Sequence, residues 1–448
     1  MNSESVLADV PDFQRFLTVD ELNASTETLA GKHPDRLRVV TVGQSTAGEP
    51  IRMLRIGRGE EQLLLFACPH PNEPIGAMTL EYLARRLVED DQLRGKEFTW
   101  NIIKCIDPDG IRLNEGWFKG PFTVTNYARH FYRPAGFRQA EWTFPIVYKE
   151  LAYFSPTPET QALMTAIAGV RPRFLYSLHN AGFGGGYYYL WPDRPAIYDR
   201  LRGLMTARGV PLALGEPEMP WAESLSPAVY RIPTVRDHYD FLEKYTDGSP
   251  AEGISAGASS FEFARAISDP AMLVCELPYF YDPRIEDAGE AGMSRKEAIL
   301  AGVESSRKMT SFLKSQLKGV EERLTEQSPF RTAVQSFLQV IAAGDAAKER
   351  WANTNPALEA PATVAQAFDN LLVGRFYRLL TCGMLVRALE LELAHRQVPQ
   401  VAEAKAAVVS RFEAEAGELE RALDYRVIPI KSLVEIQLGA ALAVLAHL

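Results

Sequence analysis

Cysteine is scarce in this chain. The 448 residues contain four, Cys68, Cys105, Cys275 and Cys382, and nothing in their placement suggests a disulfide framework. Three of them fall inside apolar runs, where a free cysteine behaves as a small hydrophobic side chain. Basic charge is also short: 48 Lys and Arg stand against 57 Asp and Glu, a formal net charge of −9. With no dense Lys/Arg block, nucleic acid is an unsuitable partner. Membrane-length apolar stretches are missing as well. The most apolar segment, Ser432 to His447, carries Glu435 and Gln437 and is too short to span a bilayer. Met1 to Val10 holds acidic residues and no apolar core, so it does not read as a signal peptide. The region after residue 290 contains no internal repeat. What remains, 46% hydrophobic and 23% charged, is the composition of a globular protein with a large core and room for a second domain.

Within that background, short apolar runs end abruptly in polar residues. Leu63 to Cys68 reads as a buried strand and stops at Pro69-His70-Pro71-Asn72-Glu73. Phe174 to Leu178 stops at His179-Asn180 and a glycine-rich stretch. Ala271 to Cys275 stops at Glu276, and Trp100 to Ile106 at Asp107-Pro108-Asp109-Gly110, which reads as a turn. In open α/β sheets, ligands bind beyond the carboxyl ends of the strands. Residues far apart in sequence can therefore share one site.

The residue types at those strand ends suit one chemistry. Catalytic zinc takes three protein ligands, commonly two histidines and a carboxylate, and leaves a position for water. His70, Glu73 and His179 form such a set. Glu276 is then a carboxylate to spare, suited to accept a proton from that water and pass it to a leaving amine. An isolated His-x-x-Glu occurs often by chance; its conjunction with two further strand-end candidates carries the weight. An N/O set of this kind accepts several divalent ions, with one Zn²⁺ the expected cofactor.

These motifs, in this order, resemble the zinc carboxypeptidase family, the carboxypeptidase A-like metallopeptidases, from about Phe13 to about Tyr281. Phe16 to Leu22, then Val39 to Ser45 and Gly48 to Ile51, are similar to the family's opening helix and hairpin. His70-x-x-Glu73 resembles its first zinc motif, Asp107-Pro108-Asp109-Gly110 its Asn-Pro-Asp-Gly turn, Ser177-Leu178-His179 its third ligand, and Cys275-Glu276-Leu277 its catalytic glutamate. The resemblance implies a mixed, mostly parallel sheet flanked by helices. It places the family's carboxylate-binding arginine on Arg129, with Ala128 where asparagine is usual and Asn126 as a substitute. His130 is a further cleft candidate. For the family's oxyanion-stabilising arginine the choices are Arg112 and Lys119. The segment Gly257 to Phe263 puts Phe261 at the side-chain-selecting position and Ile254 where a mobile tyrosine is usual; Tyr239 or Tyr245 could replace it.

Near residue 290 the pattern changes. Residues 1–290 form the expected catalytic domain and 291–448 an all-helical one, outside the family's usual catalytic part. Ser294-Arg295-Lys296-Glu297 reads as a capping box. Helical periodicity then recurs over Pro329 to Glu349, Val364 to Leu379, Ala402 to Leu423 and Ser432 to His447, predicting about five helices. The last fits core packing or a dimer contact, so a homo-oligomer through this region is a candidate. The expected activity is a cytoplasmic metallocarboxypeptidase acting on a peptide or small amide with a free carboxylate, made without a pro-segment. The alternatives are a deacylase of N-acyl amino acids, similar to the aspartoacylase and succinylglutamate desuccinylase branch, and a zinc-binding scaffold without activity.

Overall fold

A computed structural model describes residues 3–325 and 327–448. Met1 and Asn2, at the start of the amino-terminal segment read above, and Glu326 lie outside the described residues. The architecture is α/β, built on a nine-stranded mixed sheet. Its strands are β1 (Leu37–Gln44), β2 (Pro50–Gly57), β3 (Glu61–Ala67), β4 (Phe98–Ile103), β5 (Phe174–Leu178), β6 (Tyr187–Trp191), β7 (Ser224–Ser226), β8 (Val229–Arg231) and β9 (Ala271–Glu276), in the order β1-β2-β4-β3-β5-β9-β6-β8-β7. The centre, β4-β3-β5-β9, is parallel. Antiparallel pairs extend it at both sides.

The central strands are apolar without alternation because both faces are covered. Leu63 and Leu65 of β3 enter one apolar cluster; Leu64 and Phe66 enter another on the opposite face. The first cluster lies beneath α2 (Ile75–Glu89), and α5 (Pro158–Val170) contributes to the second. Register does the rest. Ala67 pairs with Leu178, and Leu178 with Cys275. Three adjacent strands therefore finish level, and His179 and Glu276 each stand one residue beyond that line.

The opening helix α1 (Val19–Lys32) carries a capping box between Thr18 and Glu21. Between α2 and α5 lie α3 (Pro108–Phe118) and α4 (Val124–His130). The Asp107-Pro108-Asp109-Gly110 segment is thus the first turn of a helix rather than a free turn. Asp107 Oδ1 accepts the Gly110 N–H at 2.8 Å, and Pro108 occupies a position where no N–H is required.

From Ser294 the chain is helical, as its capping box predicts. Ser294 Oγ accepts from Glu297 N at 3.1 Å and Glu297 Oε2 accepts from Ser294 N at 2.7 Å. The helices are α6 (Arg295–Val320), α7 (Pro329–Thr354), α8 (Gly374–His395), α9 (Pro399–Ala422) and α10 (Ile430–Leu445). A short helix, Val364–Phe368, runs into α8 through a π-helical turn, Asp369–Val373. These helices do not stand apart from the sheet: α8 and α9 pack on α4, and α10 on α2. The first apolar cluster runs from Val6 to Leu445. Gln437, fully buried in α10, accepts from Thr79 Oγ1 of α2 at 2.8 Å and donates to the backbone oxygen of His179 at 2.9 Å. Among the described residues no helix is long and apolar enough to cross a membrane.

Burial, reinforced by Glu159 and Asp109, pushes Asp107 from 3.8 to about 7. Its raised value means that the folded protein retains a proton the unfolded chain releases, so its contribution to stability falls as pH rises from 3.8 through about 7. Asp107→Asn keeps the capping oxygen and removes the ionisation. The variant's stability relative to the parent should rise by about 2–3 kcal/mol between about pH 5 and about pH 8 in denaturant titrations. A pH-independent offset would contradict the buried carboxyl.

Candidate metal centre and its cavity

The chain leaves β3 through Cys68, whose φ of +57° is uncommon for a residue other than glycine. A tight turn follows, in which Glu73 N donates to His70 O at 3.1 Å, and α2 begins at Ile75. Pro74, at the cap position, has no side-chain acceptor to offer the helix. Asn180 Oδ1 accepts the Ile75 N–H at 3.2 Å instead, reaching from the loop after β5. Gly76 is required by proximity: a Cβ there would lie 2.6 Å from Leu178 Cβ and 2.9 Å from Ala67 Cβ. The first turn of α2 thereby rests directly on the ends of β3 and β5.

This arrangement brings His70, Glu73 and His179 together. Glu73 Oε1 is 3.1 Å from His70 Nδ1, its Oε2 is 3.0 Å from His179 Nδ1, and the two Nδ1 atoms are 3.2 Å apart. All three side chains are buried, and one ligand atom from each lies within 4.8 Å of the others. No other group of His, Cys, Asp and Glu among the described residues meets that condition. Two imidazoles and a carboxylate fit a catalytic zinc ion by donor type and number.

Outer contacts hold the set in place, as metal ligands require. Ser177 Oγ lies 2.8 Å from His179 Nε2 and donates to Glu141 Oε2 at 3.3 Å. Glu141 Oε1 accepts from Ser260 Oγ at 2.6 Å. Trp142 Nε1 donates to His70 Nε2 at 3.1 Å. Glu73 Oε2 also accepts from Asn180 N at 3.1 Å. Arg133 completes the group: its guanidinium is 3.2 Å from Glu73 Oε1 and 2.9 Å from His70 Nε2.

Burial lowers His70 to about 3, and the charge of Arg133 adds to the effect. Burial also works against a charged His179, but the carboxylates of Glu73, Glu276 and Glu141 outweigh it and raise that imidazole to about 9. For Glu73 burial is opposed by both histidines, which hold it below the usual carboxylate range. Glu276, at the end of β9 with Oε1 3.7 Å from His179 Nδ1, is pushed well up by burial. A resident cation would reverse that tendency by favouring the carboxylate.

The centre opens into a cavity of about 570 Å³. The sheet side supplies Tyr187, Tyr189 and Glu276. The opposite wall comes from the helical region, through Lys348 of α7, Asp369 and Asn370 of the π-helical turn, and Tyr377 and Arg378 of α8.

Of the other residues singled out from the sequence, Phe261 lines this cavity. Arg112 does not; its guanidinium is held on the surface by Glu49 at 2.5 Å and Asp20 at 2.7 Å. Lys119 is engaged by Glu21 and the Phe16 carbonyl. Arg129 pairs with Glu390 at 3.2 Å and covers Phe412, because its side of α4 faces α8 and α9. Asn126 donates to Pro121 O at 2.8 Å, and His130 Nδ1 contacts Asn126 O at 3.0 Å, both within the α4 segment. The cation at the centre is Arg133, in the chain just past the end of α4. A signal existed: Phe131-Tyr132-Arg133-Pro134 sets one cation in an otherwise apolar run. Tyr239 is buried in the second cluster and Tyr245 packs against it. From outside the sheet, Tyr127 of α4 and Tyr377 of α8 line the cavity.

Level parallel strand ends bearing a buried His/Glu/His set define a candidate metal-binding site on a mixed α/β sheet. The zinc carboxypeptidase family model matches residues 22–200, a stretch that includes all three ligand candidates and ends before Glu276. Zinc carboxypeptidase A 1 of Anopheles gambiae is 26% identical over 126 residues, 25% of this chain and 29% of that protein. The chain thus spans less than a third of this curated relative. Among solved structures, carboxypeptidase A from Helicoverpa armigera is 16% identical with a TM-score of 0.37, over 62% of this chain and 70% of that one. A metallo-carboxypeptidase from Burkholderia cenocepacia is 13% identical with a TM-score of 0.33, over 74% and 68%.

His179→Ala should abolish stoichiometric zinc binding, measured by elemental analysis after equilibrium dialysis. Full retention of the metal would remove His179 from the ligand set.

Proposed function

We propose that the chain is a metal-dependent carboxypeptidase, or a closely related amide hydrolase, acting on short substrates with a free carboxylate. The observation that carries this reading is the buried His70/Glu73/His179 set with Glu276 3.7 Å from His179 at the floor of one cavity. His70, Glu73 and His179 would hold a divalent ion, which when bound would supply acidification of a water and polarisation of a carbonyl. Glu276 accepts the proton of the attacking water and delivers it to the leaving nitrogen. Arg133 presents N–H donors beside the ligands, where they can hold a substrate carboxylate or the charge that develops on the carbonyl oxygen. The match of residues 22–200 to the zinc carboxypeptidase family model supports the reaction class.

The helical wall favours small substrates, because about 570 Å³ lies in the range of small-molecule sites. That observation gives weight to a second reading, removal of an acyl group from an N-acyl amino acid. A panel of peptides with free and amidated carboxyl termini, run beside N-acyl amino acids, separates the two.

Glu276→Gln should bind the metal as the parent does and lose about 10²–10⁴ in turnover, read by mass spectrometry on that panel. A fully active variant would remove Glu276 as the base. Arg133→Gln should lower kcat/KM by at least about tenfold. An unchanged value would place carboxylate recognition elsewhere.

A further inference from the structure

The cavity wall made by the helical region holds two cations that the proposed reaction does not use. Lys348 of α7 and Arg378 of α8 both line the cavity. An ammonium and a guanidinium carry several N–H donors and no acceptor. Among the described residues, Arg378 has one hydrogen-bond partner: its Nε donates to Ser306 Oγ at 2.9 Å, and Ser306 in turn donates to Asp345 Oδ2 at 2.6 Å. Among the described residues Lys348 has no hydrogen bond, and neither residue forms an ion pair within 4.0 Å with another described residue.

Apart from Glu276 at the metal set, the acids on the same cavity are differently placed, each already taken up by donors. Glu216 is gripped by Arg295 at 2.8 and 2.5 Å. Glu218 accepts from the hydroxyls of Tyr187 and Tyr189 at 3.0 and 2.9 Å. Asp369 accepts from Glu216 N at 2.7 Å, and burial raises it to about 7, which halves its charge near neutrality. The donor capacity left facing the cavity is therefore cationic. Both side chains are half-buried at the cavity wall, and a ligand anion would meet the N–H donors that they leave unpaired.

We propose that Lys348 and Arg378 form an anion subsite that binds a second carboxylate of the substrate, so that the preferred substrate is a short peptide or acylated amino acid bearing an acidic side chain. This deepens the hydrolase reading and rests on it for the reaction, though not for the binding. The helical region then supplies specificity as well as enclosure: the metal set and Arg133 engage the scissile end, and α7 and α8 select the side chain.

The test is a calorimetric titration of metal-loaded protein carrying Glu276→Gln, with dipeptide pairs that have Glu or Gln at the first or second position. The result expected is tighter binding of the Glu form at one position, by about tenfold. Lys348→Met and Arg378→Gln, each confirmed as folded by an unchanged melting profile, should each reduce that preference while leaving the Gln peptide's affinity unchanged. Equal binding of both members at both positions, no binding of any, or a preference that survives both substitutions would overturn the subsite. If the Glu preference appears but the unmodified protein turns over none of the peptides, the hydrolase reading falls and the subsite stands.

Discussion

One carboxylate sets the terms for the rest of the molecule. Glu73 is 2% exposed and lies among two imidazoles, a guanidinium and a backbone N–H. A buried charge is tolerated only when its lone pairs are met. The groups that meet them arrive from three segments: His70 from the same loop, His179 and Asn180 from the end of β5, and Arg133 from the chain past α4. The level register of β3, β5 and β9 makes that convergence geometrically available. The close seat of Gly76 keeps α2 from pushing those strand ends apart.

The helical region completes this arrangement in two places. At the back, Gln437 of α10 ties the backbone of His179 to Thr79 of α2. At the front, α7, the π-helical turn and α8 close the cavity with polar side chains. A π-helical turn shifts the phase of a helix and is frequent at functional sites. Here it lies where Asp369 and Asn370 reach the cavity just before Tyr377 and Arg378.

Much of the sheet was legible because its central strands are apolar throughout and end in polar residues. The runs at 63–68, 174–178 and 271–275 correspond closely to β3, β5 and β9, and their terminal His and Glu side chains converge in space. The helices after residue 290 were equally legible from their caps and periodicity. The far wall of the cavity was not. Arg129 and Arg112 attract notice through their motif neighbours, yet helix phase turns one toward α8 and α9 and surface acids retain the other. Arg133 depends on where α4 ends, a boundary of one or two residues that composition does not reveal. Lys348, Tyr377 and Arg378 are ordinary members of amphipathic helices until tertiary packing decides which face meets the cleft.

The link between His179 and Gln437 spans 258 residues. While the chain is being made, β5 emerges long before α10, so an incomplete chain has the ligand side chains but neither the clamp behind His179 nor the wall over the cavity. Assembly of the centre is in this way coupled to synthesis of the helical region. A nascent or truncated product would carry metal-binding residues without the enclosure that limits what can reach them.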